Sequence, residues 1–352
     1  MKKYFIMLLF VGMCLLCGCN SKKSLTGQVV EVITGTDSTY PQYVILTEEG
    51  KEIGIIMDDQ TQVWSFINKF DVDAFQNGIM TDVMISVKSN KPSVSMNASG
   101  KKIKAYLAND IEISAVLTKA AVHLSDGTSA DMWEYFDYRV YQLSDGTKLL
   151  RVQTPSGPNQ VYVGGLENFD DLSETAKTNV LAFYADQSLL YDVNSELERA
   201  YAEYQQTKIK TEFNSFMLSQ DIVPAASNDK VIYFLTSVQL PIDGKNGQEI
   251  RLGAAFDRET GKHINNWELF SCSKEEVIQT ILDSAQITDV VLRAEMEKAF
   301  APEYIILCPD NLEVSFPAGT LPSQEQAYML GLDYNEELSR ILNTWAIPSH
   351  RE

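Results

Sequence analysis

The sequence predicts an α+β protein in two parts: a small antiparallel β-barrel or sandwich, then a mixed α/β domain with an antiparallel sheet and packed helices. Three observations lead there. Between residues 26 and 114, short runs rich in β-branched residues alternate with polar positions and are separated by Gly/Asp/Ser turns. From Asp171 the apolar period lengthens to three or four residues, in segments that open with capping-box spacings. Past residue 211 the two-residue alternation returns, interleaved with further helical stretches. The chain has 352 residues, 45% hydrophobic and 10% aromatic, enough for folded cores. That length suits about two to three domains.

The first strand is Gly27-Gln28-Val29-Val30-Glu31-Val32-Ile33, followed by Gln42-Tyr43-Val44-Ile45-Leu46. The turn Glu48-Glu49-Gly50-Lys51 leads to Glu52-Ile53-Gly54-Ile55-Ile56-Met57, and later runs cover 82–87 and 108–113. This order resembles a compact OB-like barrel over residues 26–114, with Asp59 to Asp71 expected as a helix between its third and fourth strands. OB folds often bind oligomers through a basic, aromatic face. The acidic balance of this chain speaks against nucleic acid, so a spacer or protein-binding role is expected.

Residues 115–165 read as hairpins joined to the domain that follows. Leu124-Ser125-Asp126-Gly127-Thr128 recurs as Leu143-Ser144-Asp145-Gly146-Thr147, and Asp-Gly between strand-like runs marks a turn. Two copies are too few for a solenoid. The second domain is expected over 166–345, with 346–352 as a tail. Asp171-Leu172-Ser173-Glu174 should open one helix, and Leu190, Val193, Leu197, Tyr201 and Tyr204 stripe a second. At that spacing the tyrosines read as core rather than as a sugar-binding face. A strand at 231–235, a glycine-bearing loop Asp243-Gly244-Lys245-Asn246-Gly247 and a return strand at 249–252 come next. Ser273-Lys274-Glu275-Glu276 opens a helix striped by Val277, Ile278, Ile281 and Leu282, and a second helical piece runs through Met296 and Phe300. Strands at 304–307 and 312–316 flank the turn Pro309-Asp310-Asn311, and a last segment runs from Tyr334 through Ile341.

The N-terminal segment is of another kind. Met1-Lys2-Lys3 precedes an uncharged apolar block from Tyr4 to Leu16, then Gly18 and Cys19. These are the parts of a secretory signal over residues 1–18, too short for a spanning helix. Cys14-x-x-Cys17 with Cys19 nearby also has the spacing of a redox or metal pair. No second pair accompanies it: Cys272 and Cys308 lie far downstream, and His123, His263 and His350 are scattered. Leu16-Cys17-Gly18-Cys19 resembles the lipobox of bacterial lipoproteins, with Cys where Ala or Ser is commoner. The resemblance implies a diacylglycerol thioether on Cys19, a polar tether over 19–25, and an extracytoplasmic protein anchored by lipid to the bacterial cell membrane. Two acyl chains suffice for stable anchoring.

Without residues 1–18 the chain carries 27 basic and 48 acidic residues, a net charge of −21. Such a surface repels nucleic acid and attracts cationic partners within a Debye length of about 8 Å. It also serves simply to keep a tethered protein soluble.

In the C-terminal half, Asn228-Asp229-Lys230-Val231-Ile232-Tyr233-Phe234, a glycine-loop hairpin, Thr260-Gly261-Lys262 and Trp267-Glu268-Leu269-Phe270 follow in order. A helix and the strand-turn-strand ending Leu312-Glu313-Val314-Ser315-Phe316 complete the series. This resembles the extracytoplasmic domain of lysozyme-sensing anti-sigma factors, also found beside peptidoglycan deacetylases, over residues 165–345. The resemblance implies a mixed α/β domain without catalytic residues that binds lysozyme. Two departures stand out. Many members have a Gly-Gly-Ala-His-like segment in the hairpin where this chain has residues 243–247, and the lipobox replaces a spanning helix, which argues against an anti-sigma role. Asp243, Asn246 and Trp267 are the candidate ligand-binding residues.

Catalytic patterns fail on their companions. Ser271-Cys272-Ser273-Lys274 matches Ser-x-x-Lys, but Ser-Asp-Asn and Lys-Thr-Gly are absent. Asp71-Val72-Asp73 starts like an EF-hand loop, yet Phe75 and Gln76 stand at ligand and glycine positions. No dinucleotide or Walker pattern exists, three histidines leave little for a triad, and the pair Asp170-Asp171 is mere adjacency in an acidic chain. The sequence therefore predicts a non-enzymatic envelope lipoprotein without cofactor or metal. Its expected ligand is a cationic or wall-associated protein such as a lysozyme-type muramidase, with peptidoglycan or glycan binding as the alternative and an uncatalogued wall hydrolase as a third.

Overall fold

The computed structural model describes residues 23–34, 39–67, 70–153, 161–242 and 245–349. The signal segment, Cys19 and most of the tether lie outside that set. Contacts divide the chain into two compact units: residues to Ala120 with Met132–Phe136, and Ala121–Asp131 with Asp137 onward. Among the described residues the architecture is mixed α/β, with mostly antiparallel strand pairing and six α-helices. No described helix is long and apolar enough to cross a membrane.

The first unit holds β1 (Lys23–Ile33), β2 (Gln42–Leu46), β3 (Glu52–Ile56), β4 (Gln62–Ser65), helix α1 (Val72–Gln76), β5 (Val83–Ser89), β6 (Val94–Ala98), β7 (Lys101–Leu107) and the start of β8 (Asp110–His123). Strand β1 lies antiparallel between β2 and β5, β2 pairs with β3, and β3 runs parallel to β7. Strand β5 pairs antiparallel with β8, and β6 folds back on β7. Period-2 alternation buries Val83, Ile85 and Val87 on one face, where they join Tyr43, Ile45, Ile55 and Ile111 in one core. Tyr43 stacks on Phe75 at 4.6 Å and 6° and donates its hydroxyl to the Phe75 carbonyl, so α1 is pinned to the sheet. The helix expected over Asp59–Asp71 is not there. Val63 and Trp64 favour a strand, and β4 pairs parallel to β8. The helix begins only at Val72, where the Asp71 carboxylate accepts the Ala74 N–H at 2.9 Å.

Strand β9 (Ser129–Glu134) is shared between the units. The second unit continues with β10 (Tyr138–Gln142), β11 (Lys148–Gln153), α2 (Glu174–Gln187), α3 (Val193–Gln206), β12 (Phe216–Ser227), β13 (Val231–Ile242), β14 (Lys245–Asp257) and β15 (His263–Ile264). Then come α4 (Lys274–Ser284), α5 (Val290–Ala299), β16 (Ile305–Leu307), β17 (Asn311–Phe316), β18 (Tyr328–Asp333) and α6 (Glu336–Ile341). Strands β10 to β15 pair in sequence order, all antiparallel except β11 with β12. That pair is parallel because α2 and α3 occupy the crossover between them. Strands β16, β17 and β18 form a separate antiparallel sheet.

Two cores result. Helix α2 lays Ala176, Val180 and Tyr184 on Ile232, Phe234 and Phe256. Helices α4, α5 and α6 and the three-stranded sheet enclose Val277, Ile281, Met296, Val314 and Phe316. Strand β18 is absent from the sequence reading, although Leu330 and Leu332 alternate inward as a strand requires. The β13–β14 hairpin is also longer than expected, since pairing continues to Ile242↔Lys245. Helix α2 is capped by Ser173, which accepts the Ala176 N–H at 3.1 Å, and not by Asp171. Asp171 instead accepts from the Arg258 guanidinium at 2.6–3.0 Å. The Ser273 cap of α4 forms as the sequence predicts.

The duplicated pentapeptides are tight turns that dock on one helix. In each, the Asp side chain accepts the N–H of the following Thr at 2.9 Å. Tyr201 then donates to Asp126 at 3.0 Å and Tyr204 to Asp145 at 3.3 Å, from adjacent turns of α3.

Gly261, like Gly253, sits at one of the closest backbone approaches of the second unit. Its φ is +68°, and a Cβ there would stand 2.1 Å from the Ala176 carbonyl oxygen of α2. Gly261→Ala should therefore cost about 2–4 kcal/mol, through left-handed strain plus displacement of α2. Chemical denaturation of the variant measures it, and a loss under about 1 kcal/mol would mean that α2 shifts freely.

Candidate functional site

Helix α2 does not cover the sheet evenly. Its N-terminal half is seated against Gly261, while its C-terminal half and the following loop leave a cavity of about 350 Å³ above β13 and β14. The volume is at the lower end of the range for ligand pockets. Its walls are Phe183, Tyr184, Gln187 and Leu190 from the helical side, and Thr236, Leu252, Gly253 and Ala254 from the strands. His263 and Asn265-Asn266 close one side, and Pro302-Glu303 another.

An aromatic group dominates one wall. The Phe183 ring and the His263 imidazole stack at 4.4 Å with 13° between planes, and both abut Phe256 edge-on at 5.2 and 5.6 Å. Tyr184 packs edge-on against Phe183 at 5.1 Å. Burial lowers the His263 pKa, opposed by the nearby Glu268 carboxylate. The net shift favours the neutral imidazole. It keeps an exposed portion while one face is taken up by Phe183.

Two lining residues carry buried oxygens with no hydrogen-bond partner. Asn266, 3% exposed, donates its amide N–H groups to the carbonyls of Gly253, Pro302 and Ile305 at 2.9–3.1 Å. That donation fixes the amide orientation and leaves Oδ1 unpaired. Tyr184, 1% exposed, has an unpaired hydroxyl. Its neighbour Thr236 weighs on its ionisation, but no hydrogen bond of proper geometry forms, and burial drives the phenol pKa far up. Gly253 lets the strand approach, since a Cβ there would lie 2.1 Å from the Ile305 carbonyl oxygen. The result is a pocket with an aromatic wall, an apolar floor and the Glu303 carboxylate at its rim, behind which the two unpaired oxygens lie sealed from solvent.

Of the candidate residues from the sequence, Trp267 is the one whose side chain is described, and it does not line this cavity. Trp267 follows Asn266 but turns away, half-buried on Phe300 at 5.9 Å with the Lys274 ammonium 5.2 Å from its ring centroid. It is a packing residue and no exposed anchor. Asp243 lies outside the described residues, as does the side chain of Asn246 in β14, and Cys19 lies there too. Sequence reasoning missed His263, Asn266, Phe183 and Tyr184 as a group. The doublet Asn265-Asn266 at the head of an apolar turn was the available signal, because a buried amide needs a stated partner for every atom. Cys272 and Cys308 are free thiols, both half-buried, and burial pushes the Cys308 thiol up to about 11. Among the described residues no cluster of His, Cys, Asp or Glu could hold a metal ion.

No family model matches the chain, and no curated protein does. Among solved structures it is similar to a DUF3298 family protein from Pseudomonas aeruginosa PAO1, at 16% identity over 38% of this chain and 66% of that one, with a TM-score of 0.26. It is also similar to a DUF3298 member from Bacteroides fragilis NCTC 9343, at 10% identity over 65% of this chain and 92% of that one, with a TM-score of 0.32. Likeness at that level carries no argument about function.

Two outcomes follow from the pocket. Tyr184→Phe removes an unpaired buried hydroxyl, so stability should rise by up to about 1 kcal/mol in chemical denaturation; a clear loss would show that the hydroxyl is paired in solution. His263 should titrate below the ordinary imidazole value in an NMR pH series. Its folded pKa is depressed, so its contribution to stability is complete above the unfolded value of about 6.5 and is lost as pH falls through the folded one.

Proposed function

We propose that this chain is a non-enzymatic lipoprotein of the bacterial cell envelope, held outside the membrane by lipid on Cys19 and engaging a cationic, wall-associated protein. Lysozyme-type muramidases are the most specific candidate. The lipobox-like Leu16-Cys17-Gly18-Cys19 supports the tether, and the ordered motifs of residues 228–316 support the ligand class. The observation that carries a protein partner is a net charge of −21 on the chain without residues 1–18, together with aromatic groups left in solvent. Phe66 and Phe136 of the first unit are 61% and 64% exposed and lie 5.7 Å apart, with Trp64 edge-on to Phe66 at 4.9 Å. Charge would speed encounter, and such rings are the usual anchors of an interface.

The OB-like reading of the first unit belongs to the same proposal. Its support is the pairing order: β1 between β2 and β5, β3 parallel to β7, and β5 against β8. Only Ala108 and Asn109 separate β7 from β8, so one nearly continuous stretch meets both ends of that order. A second reading, an accessory module for peptidoglycan or another glycan, is favoured by the cavity beside Phe183 and His263.

The protein-partner reading is tested by titrating the full chain, in a sugar-free detergent, against lysozyme at low and high salt. Binding should be saturable at low salt and weaken by about tenfold or more at high salt, as for an encounter dominated by charge. Phe66→Ala with Phe136→Ala should raise the dissociation rate. No binding at low salt would remove lysozyme as the ligand.

A further inference from the structure

We infer that a lysine face of the first unit, formed by Lys23, Lys102 and Lys104 about Tyr106, docks on the anionic headgroups of the membrane to which Cys19 is tethered. The inference rests on the tether reading and goes beyond it, since a tether alone leaves the body of the protein free to turn. The sequence marks the place. In a chain with 48 acidic residues, residues 83–109 hold five lysines and no acid. The fold then sorts those lysines. Lys91 is paired with Asp58 at 3.5 Å, and Lys88 stands opposite Asp110 in the β5–β8 register. Lys101 shares a face of β7 with Ala105, whereas Lys102 and Lys104 share the other face with Tyr106.

The surroundings leave that face cationic. On β6, Asn97 and Ser95 pair with Lys102 and Lys104, so the neighbours there are polar and uncharged. On β3, Ile55 pairs with Tyr106, and alternation puts Ile53 on the lysine side and Glu52 on the opposite one. From β1, Lys23 reaches across and donates to the Tyr106 hydroxyl at 2.7 Å, with the Lys104 ammonium 5.4 Å from the ring centroid. The Lys23 hydrogen bond leads the causes that hold the Tyr106 phenol below its usual range, and Lys104 adds to it. Glu49 also feels Lys23, but it is paired with Lys51 at 2.5 Å. Lys23, Lys102 and Lys104 are all exposed, and among the described residues none of them is in an ion pair.

The tether supplies the partner. Lys23 opens β1 and follows Cys19 by four residues, a span of at most about 14 Å, so lipid on Cys19 holds this face within about two Debye lengths of the headgroups. Each lysine close to an anionic bilayer strengthens binding by about fivefold, hence about a hundredfold for three. The same lipids repel the rest of a chain whose net charge without residues 1–18 is −21, so charge favours one orientation over the others.

The test is amine acetylation, read lysine by lysine in a mass spectrometer, on the full chain diluted from detergent onto preformed vesicles. The vesicles are phosphatidylcholine alone or mixed with phosphatidylglycerol. Lys23, Lys102 and Lys104 should react at least about fivefold more slowly on the anionic vesicles, and high salt should restore their rates. Lys230 and Lys262, exposed in the second unit, should react alike on both. Lys102→Gln with Lys104→Gln should abolish the protection of Lys23 while leaving the circular dichroism spectrum unchanged. Equal rates on the two vesicles, protection spread evenly over both units, or undiminished protection of Lys23 in the double variant overturns the inference. Protection by soluble polyphosphate without protection on anionic vesicles also overturns it, and assigns the face to a dissolved polyanion. The intact mass of the purified chain reports diacylglycerol on Cys19 separately, so loss of the tether reading is distinguishable from failure of the lysine face.

Discussion

The second unit depends on how closely helix α2 can approach the sheet. Gly261 meets the Ala176 carbonyl in a space that no side chain could share, and Asn179 donates to the Thr260 carbonyl at 2.8 Å beside it. These contacts seat the N-terminal half of α2 over the β14–β15 turn. Val180 and Tyr184 then fall one and two turns further along the same face, onto Ile232, Phe234 and Phe256. The cavity opens beside the far end of the helix, at Phe183, Tyr184 and Gln187. The aromatic wall is a consequence: Phe183 can stack on His263 only because Gly261 has turned the chain to bring β15 back alongside β14. Two close approaches thus frame the cavity, Gly261 under α2 and Gly253 against Ile305.

What could be read in advance follows physical locality. Caps and turns were legible because the groups involved are two to four residues apart, as at Ser273 with Glu276 or Asp126 with Thr128. Alternation gave most strands of the first unit for the same reason. Several failures are long-range, although the local β6–β7 hairpin and β18 are also missing from the expected strands. Strand β4 exists because β8 offers a parallel partner some fifty residues on, a pairing that the propensities of Val63 and Trp64 only permit. Asp171 looked like a cap and is instead a fork for Arg258, eighty-seven residues away. The cavity was invisible, since its walls come from α2, β13, β14, β15 and the segment around Pro302. Trp267 attracted attention by residue type, while the residue before it, Asn266, carries the unsatisfied oxygen.

The tyrosine stripe of α3 shows the same limit from another side. At three- and four-residue spacing it reads as core, and Leu197 and Ala200 are indeed fully buried. Tyr201 and Tyr204 are only half-buried, with hydroxyls that reach Asp126 and Asp145. Duplicated turns and a tyrosine pair one helical turn apart are a single device that fixes two hairpins to α3. Neither half announces the other in the sequence, although both were noticed separately.

The acidity of the chain is in large part local in origin. Asp126, Asp145 and Asp192 each accept a backbone N–H in a turn or cap, and that hydrogen bond is the main reason their carboxyls sit below the usual range. Asp257 is held low chiefly by the Thr260 hydroxyl, and Asp171 by the Arg258 guanidinium. Such groups stay ionised into acidic media, so the negative field is a by-product of local folding as much as a device for partners. A field spread over many turns attracts any cation and selects none. Selectivity has to come from places where solvation is lost and geometry is fixed. In the second unit the place that meets this description is the cavity beside Phe183 and His263, whose lining carries one carboxylate, Glu303. A chain that draws its surroundings by charge still needs such desolvated, fixed geometry to tell one partner from another.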